Sequence, residues 1–212
     1  MFCSQSYLQI KQNLALNKAC DVNLVAVSKT MPVQDVMDAI KHGQLCFGEN
    51  RVLEAIEKFT DLKSQNKDIK LHLIGHLQKN KVSDAVKIFD VIETVDSLEL
   101  ATLLHNEELK QGKKLKYFAQ VNIGMEQQKT GLAPEDLADF LTACPLNISG
   151  LMCVPPVGDN TALYFLLLNK LAKKFGLSEL SMGMSADYEL AIRLGATNVR
   201  LGSVIFGTRA DG

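Results

Sequence analysis

Eight short apolar runs recur along the 212 residues, and stretches with helical periodicity lie between them. The runs cover residues 24–27, 45–47, 71–74, 91–94, 117–123, 148–154, 180–182 and 199–201. Several are apolar nearly throughout, the pattern of parallel strands buried on both faces. Val33, Val36, Met37 and Ile40 form one helical stripe, with Pro32 in its opening turn and Gly43 after its end. Val52, Leu53, Ile56 and Phe59 form the next. Leu163, Leu166, Leu167 and Leu171 form a later one, and Leu190, Ala191 and Leu194 the last, closed by Gly195. Each stripe is expected to face the core. Asp96 and Glu99 have capping-box spacing ahead of the helix through Leu104. This alternation, without a Pro/Gly/Ser-rich linker, predicts one α/β domain over residues 1–212, a single (β/α)8 TIM barrel with short loops. An open doubly wound sheet has the same element order and is the alternative, because counting strands does not establish closure.

Charge and cysteine usage narrow the class. Lys and Arg (23) nearly balance Asp and Glu (24), which argues against a nucleic-acid partner. Lys113-Lys114 and Lys173-Lys174 read as solvated helix ends. The cysteines are Cys3, Cys20, Cys46, Cys144 and Cys153, an odd number without a C-x-x-C, so neither a disulfide framework nor a zinc site is indicated. Cys46 and Cys153 sit in apolar runs and are expected to be buried and inert. No basic stretch followed by an apolar core opens the chain, and the longest strongly apolar run, residues 163–168, is too short for a bilayer. A soluble, cytoplasmic, monomeric protein is expected.

In a barrel, functional groups sit at the C-terminal ends of strands. Lys29 follows the first run directly, in Val27-Ser28-Lys29-Thr30. From position alone a charged rim lysine is the simpler reading. Desolvation would instead free a neutral amine able to attack an aldehyde. The second run ends in Phe47-Gly48-Glu49-Asn50, where Asn50 offers a donor and an acceptor. The third ends in His72-Leu73-Ile74-Gly75-His76. Two histidines four apart make a metal pair on a helix, but here a strand ends and a turn intervenes, so no metal is expected. Alternation with Leu73 turns His72 into the barrel. The last two runs lead into Gly183-Met184-Ser185 and Gly202-Ser203, with Ser185 at an expected N-cap. Loops after strands seven and eight of a barrel commonly bind phosphate, and helix starts favour anions.

Taken together, these pieces resemble the pyridoxal phosphate homeostasis proteins (the YggS/PROSC family) from about Leu24 to Arg209. Lys129-Thr130-Gly131, Gly150-Leu151-Met152, Gln78, Asn80 and Lys81 add to the match. The resemblance implies a barrel similar to the N-terminal domain of alanine racemase, holding pyridoxal 5'-phosphate (PLP) as a Schiff base on Lys29. It implies that Asn50, His72 and Met152 line the ring and that Arg200 faces the pyridine nitrogen. Ser185, Gly202 and Ser203 would hold the phosphate, with Met184 offering its backbone. Met31 stands where lysine or valine is common in the family, and Ser203 where threonine is. The segment 155–160 is short, and the tail 208–212 lacks the usual tyrosine.

The function implied is a PLP carrier or buffer in vitamin B6 homeostasis, with PLP-requiring apo-enzymes as candidate recipients. The alternatives are a PLP enzyme of the racemase type and a barrel aldolase using Lys29 without PLP. The aldolase needs acid/base groups, for which His72 and Glu49 are the candidates. A racemase needs a second base opposite the lysine, which a tyrosine of a second domain supplies in alanine racemase. Residues 1–212 end just after the eighth strand and are expected to hold no such domain.

Overall fold

The computed structural model describes residues 1–16, 22–156, 158 and 160–207. Cys20, the tail 208–212 and two positions of the short segment after the sixth strand lie outside the described residues. Eight parallel strands close into a barrel in sequence order: β1 (Asn23–Val27), β2 (Cys46–Glu49), β3 (Lys70–Leu73), β4 (Val91–Val95), β5 (Lys116–Gln120), β6 (Ile148–Met152), β7 (Glu179–Ser181) and β8 (Asn198–Leu201). Closure comes from β1 lying against β8, with Asn23 opposite Asn198 and Ala26 opposite Leu201. The open-sheet alternative is thereby removed.

Outside the barrel lie α1 (Ser4–Leu16), α2 (Val33–Lys41), α3 (Val52–Gln65), α4 (Val82–Ile88), α5 (Leu98–Gln111), α6 (Leu137–Ala143), α7 (Thr161–Lys174), α8 (Tyr188–Arg193) and α9 (Ser203–Phe206). The main core forms between helices and strands, where Leu24, Phe47, Leu71, Leu73, Ile92, Leu151, Val199 and Leu201 turn outward against helix residues such as Val36, Phe59, Leu104 and Phe165. Period-two alternation then sends the intervening strand residues inward. Inside, Val91, Phe118 and Met152 make a small apolar cluster. Beside it, His72, Glu93, Ser181 and Arg200 form a buried polar column.

Three local expectations are corrected. Leu163, Leu166 and Leu167 of α7 face outward, and Phe165, Leu168 and Ala172 face the core. Residues 162–168 are apolar almost all round, so leucine spacing alone did not select the buried face; the phenylalanine packs more area there. Helix α5 is capped by Ser97, whose Oγ accepts from the Leu100 N–H at 3.3 Å, one residue after the expected Asp96. Helix α1 was not anticipated, although Tyr7, Ile10 and Leu14, its buried residues, carry the helical spacing. The residue just before it is tied to α9, with the Cys3 N–H donating to the Ile205 carbonyl at 2.8 Å.

The faces of α7 make a direct test. Phe165→Ala should lower unfolding free energy by roughly 3–5 kcal/mol, the cost of emptying a packed aromatic site. Leu166→Ala, at a position 49% exposed, should stay within about 0.5 kcal/mol of the parent. Urea unfolding of both variants checks the pair, and equal losses would contradict the assignment of faces.

Candidate functional site

A cavity of about 790 Å³ opens at the C-terminal mouth of the barrel. That size is typical of small-ligand sites. Val27, Met31, Ile74, Val154 and Phe206 give it apolar walls, and Lys29, Asn50, Ser185, Arg200, Gly202 and Ser203 supply polar groups from four strand ends. Met184 also lines it.

The backbone on both sides of Lys29 is clamped. Lys58 Nζ donates to the Ser28 carbonyl at 2.7 Å, to Glu49 Oε1 at 2.8 Å and to Glu54 Oε1 at 3.0 Å. Ser28 Oγ donates to Glu49 Oε1 at 2.7 Å, and the Thr30 N–H donates to Glu54 Oε1 at 2.5 Å. The residues before and after Lys29 are thus both fastened to one cluster on β2 and α3. Thr30 takes φ of 62°, a left-handed conformation costly for a β-branched residue, and the Glu54 contact helps hold it. Burial pushes the Glu49 carboxyl up, against the pull of Lys58 and Ser28. Sequence reading passed over Glu54 and Lys58; their i,i+4 spacing on α3 was the available signal. Lys29 itself is partly exposed at the rim rather than sealed from water.

Across the mouth, Ser185 Oγ and Ser203 Oγ lie 3.3 Å apart, so the loops after β7 and β8 converge. Gly183 makes the turn possible: its φ is +91°, and a Cβ there would meet Ala191 Cβ at 2.5 Å. Helix α8 begins later than expected, with Asp187 and not Ser185 at its N-cap. The Met184 N–H donates to Asp187 Oδ1 at 2.6 Å, and the Met184 carbonyl accepts from Asp187 and Tyr188. The Met184 N–H and carbonyl, expected to face a ligand, are thus both hydrogen-bonded within this turn. Gly75 has a parallel role beside Asn50, since a Cβ on it would lie 2.4 Å from the Asn50 carbonyl oxygen.

His72 and Met152, expected at the ring, do not line this cavity. Met152 is 1% exposed and packed on Val91 and Phe118 inside the barrel. His72 points inward but lies toward the opposite, N-terminal end, where it lines a second cavity of about 970 Å³ with Cys46. Cys46 is accordingly half-buried and not sealed in the core, whereas Cys153 is buried and its thiol is pushed up to about 12, chiefly by desolvation. His72 Nδ1 meets Glu93 Oε1 at 2.6 Å. Burial opposes charge on His72, but Cys46 and Glu93 outweigh it and push the imidazole up to about 10. Burial likewise opposes charge on Glu93, and His72, Arg200 and Ser181 outweigh it, holding the carboxyl below its ordinary value. Glu49 is tied into the Lys58 cluster and lines no part of the mouth cavity.

The family model described as "Alanine racemase, N-terminal domain" matches residues 7–210. The Homo sapiens protein named "Pyridoxal phosphate homeostasis protein" is 41% identical over 214 residues, covering 90% of this chain and 78% of its own. The protein of that name from Pasteurella multocida is 35% identical over 229 residues, covering 99% of this chain and 98% of its own. This chain belongs to the family of pyridoxal phosphate homeostasis proteins. Among solved structures, PipY of Synechococcus elongatus without PLP superposes with a TM-score of 0.88 at 36% identity, over 96% of this chain and 99% of that one. PipY with PLP bound superposes with a TM-score of 0.83 at 34% identity, with the same coverage. Alanine racemase of Clostridium difficile, at 17% identity and a TM-score of 0.72 over 95% of this chain and 56% of that one, shares the barrel fold.

The column has a pH signature. A folded-state pKa of His72 raised from 6.5 to about 10 contributes stability that is complete below 6.5 and lost as pH rises through about 10. Glu93, shifted down, contributes above its ordinary value of 4.5 and loses it on acidification. The urea midpoint should fall between pH 6.5 and 10, and fall less in His72→Gln. An imidazole NMR titration should find His72 still protonated at about pH 8.

Proposed function

We propose that this protein binds PLP at the C-terminal mouth and serves as a carrier or buffer in PLP homeostasis. The observation that carries the reading is the meeting of three kinds of group around one cavity: the Lys29 amine, the Arg200 guanidinium, and the paired hydroxyls of Ser185 and Ser203. These residues fit the group. PLP when bound supplies an aldehyde that condenses with an amine, losing water, and a pyridine ring that withdraws electrons. Lys29 would offer the amine, held at a set position by the clamp on Ser28 and Thr30. Ser185 and Ser203 would donate to the phosphate, with Gly202 beside them. Arg200 would meet the ring nitrogen, and Asn50 the ring edge. Apo-enzymes that require PLP are the recipients such a carrier would serve.

Catalysis as a racemase is the second reading, and the cavity lining speaks against it. Two-base racemisation needs a proton donor on the face opposite Lys29. Among the described residues no tyrosine lines the cavity: Tyr7 and Tyr117 are core residues, and Tyr164 and Tyr188 pack from α7 and α8. Positioned acid/base groups contribute roughly 10²–10⁴-fold each, so lacking one is a large loss. An arginine, always protonated, also favours an unprotonated ring nitrogen and weakens the ring as an electron sink. The aldolase reading fares worse, because neither His72 nor Glu49 lines the cavity.

Borohydride reduction of PLP-loaded protein followed by peptide mapping should place the label on Lys29. Lys29→Ala should lose it while retaining weaker, reversible PLP binding through the phosphate contacts, each worth roughly 1.5–3 kcal/mol. A label on another lysine of the parent protein would overturn the assignment. Exchange of the α-hydrogen of L- and D-alanine with deuterated solvent should stay near the rate of free PLP. Lys29-dependent exchange at ordinary enzyme rates would instead establish a racemase.

A further inference from the structure

The Arg200 side chain is 4% exposed yet lines the mouth cavity. A buried cation needs its donors satisfied and its place held. Arg200 Nη2 donates to the Cys153 carbonyl at 2.7 Å, and Nη1 donates to Ser181 Oγ at 2.7 Å. Ser181 Oγ in turn lies 2.6 Å from Glu93 Oε2. A guanidinium has no acceptor and a carboxylate no donor, so the hydroxyl's direction is settled: it accepts from Arg200 and donates to Glu93. The other carboxylate oxygen accepts from His72 Nδ1. Arg200 and Glu93 approach no closer than 3.9 Å, so Ser181 is the link that holds the two charges at a fixed spacing. The polarity of the whole chain, His72 to Glu93 and Arg200 through Ser181 to Glu93, rests on Glu93 accepting at both oxygens.

We propose that Ser181 and Glu93 are positioning residues that set the Arg200 guanidinium toward the ring of the bound ligand, with His72 bonded to the other oxygen of Glu93. This rests on the reading of the mouth cavity as a PLP site. The chemistry makes two substitutions informative for different reasons. Ser181→Ala removes the spacer, leaving Arg200 free to move directly onto Glu93 and away from the mouth. Glu93→Gln keeps the shape but replaces an acceptor with an amide donor. Either the Ser181 hydroxyl must then turn its proton toward the Arg200 donors, or His72 must surrender its Nδ1 proton.

The test compares the affinity of PLP with that of its 1-deaza analogue, in which C–H replaces the ring nitrogen. The parent protein should prefer PLP by roughly tenfold or more, the scale of one hydrogen bond to a charged group. Arg200→Gln defines the preference without the guanidinium. Ser181→Ala and Glu93→Gln should each bring the ratio toward that floor, and Ser181→Thr, which keeps the hydroxyl, should restore it. The absorbance maximum of bound PLP should shift in the same variants. A merely structural column would lower the melting temperature and leave the ratio unchanged, and that result in folded Ser181→Ala, the milder change, overturns the inference even should Glu93→Gln fail to fold. A parent protein that binds neither compound overturns the PLP reading itself, and this inference with it.

Discussion

Everything at the mouth depends on the hydrogen-bonded ladder between β1 and β8. Four residues of β1 lie opposite four of β8, from Asn23 with Asn198 to Ala26 with Leu201. That ladder carries the loop after β1, with Lys29, to the side of Arg200 and of Gly202 and Ser203. It also removes the two free edges an open sheet would expose. Pairing the first strand with the last is the most non-local contact a barrel makes, so its loop-closure entropy is offset only when the rest of the fold is in place. The candidate site therefore exists only in the completed barrel.

Within the closed wall, the interior is divided unevenly. Val91, Phe118 and Met152 pack as an apolar plug, while His72, Glu93 and Arg200, linked through the Ser181 hydroxyl, carry buried charge. Such a column is a conditional asset. Intact, its ions satisfy one another through short hydrogen bonds. With one member removed, the remainder is an uncompensated buried charge, a defect of roughly 3–5 kcal/mol. A hydrophobic interior of equal volume could be as stable, so stability alone does not account for charges here. The column ends at Arg200, which lines the mouth cavity, and the proposed positioning role gives its retention a reason.

The cluster around Lys58 solves a different problem. On the proposed reading Lys29 must stay available to react, and an ion pair on its amine would reduce that availability. Here the neighbours Ser28 and Thr30 are held instead, through Glu49, Glu54 and Lys58. The backbone around Lys29 is thereby held through its neighbours while its side chain stays half-buried at the rim. The loops after β7 and β8 obey the same logic, with Asp187 fixing the Met184 turn so that the Ser185 hydroxyl is left to face Ser203.

The sequence by itself determined the element order, because strand and helix periodicities are local properties of side-chain patterning. All eight strand-like runs fall on strands to within a few residues, and Lys29, Asn50, Ser185, Arg200, Gly202 and Ser203 all reach one cavity. Strand-end positions in a barrel share one rim whatever the details, so Lys29, Asn50, Ser185, Gly202 and Ser203 were legible as rim residues, whereas Arg200, inside β8, was pointed to only by the family resemblance. Other choices were made only in three dimensions. Which of two apolar faces of α7 is buried depends on what the barrel offers as a partner. How deep along the axis an inward residue sits depends on strand stagger, which placed His72 near the N-terminal end and Met152 in the plug. Which backbone N–H is already spent depends on a cap such as Asp187 that local pattern does not distinguish from Ser185. The pairing of Glu93 with Ser181 and Arg200 joins three strands through buried hydrogen bonds, and no linear spacing encodes a contact across a barrel.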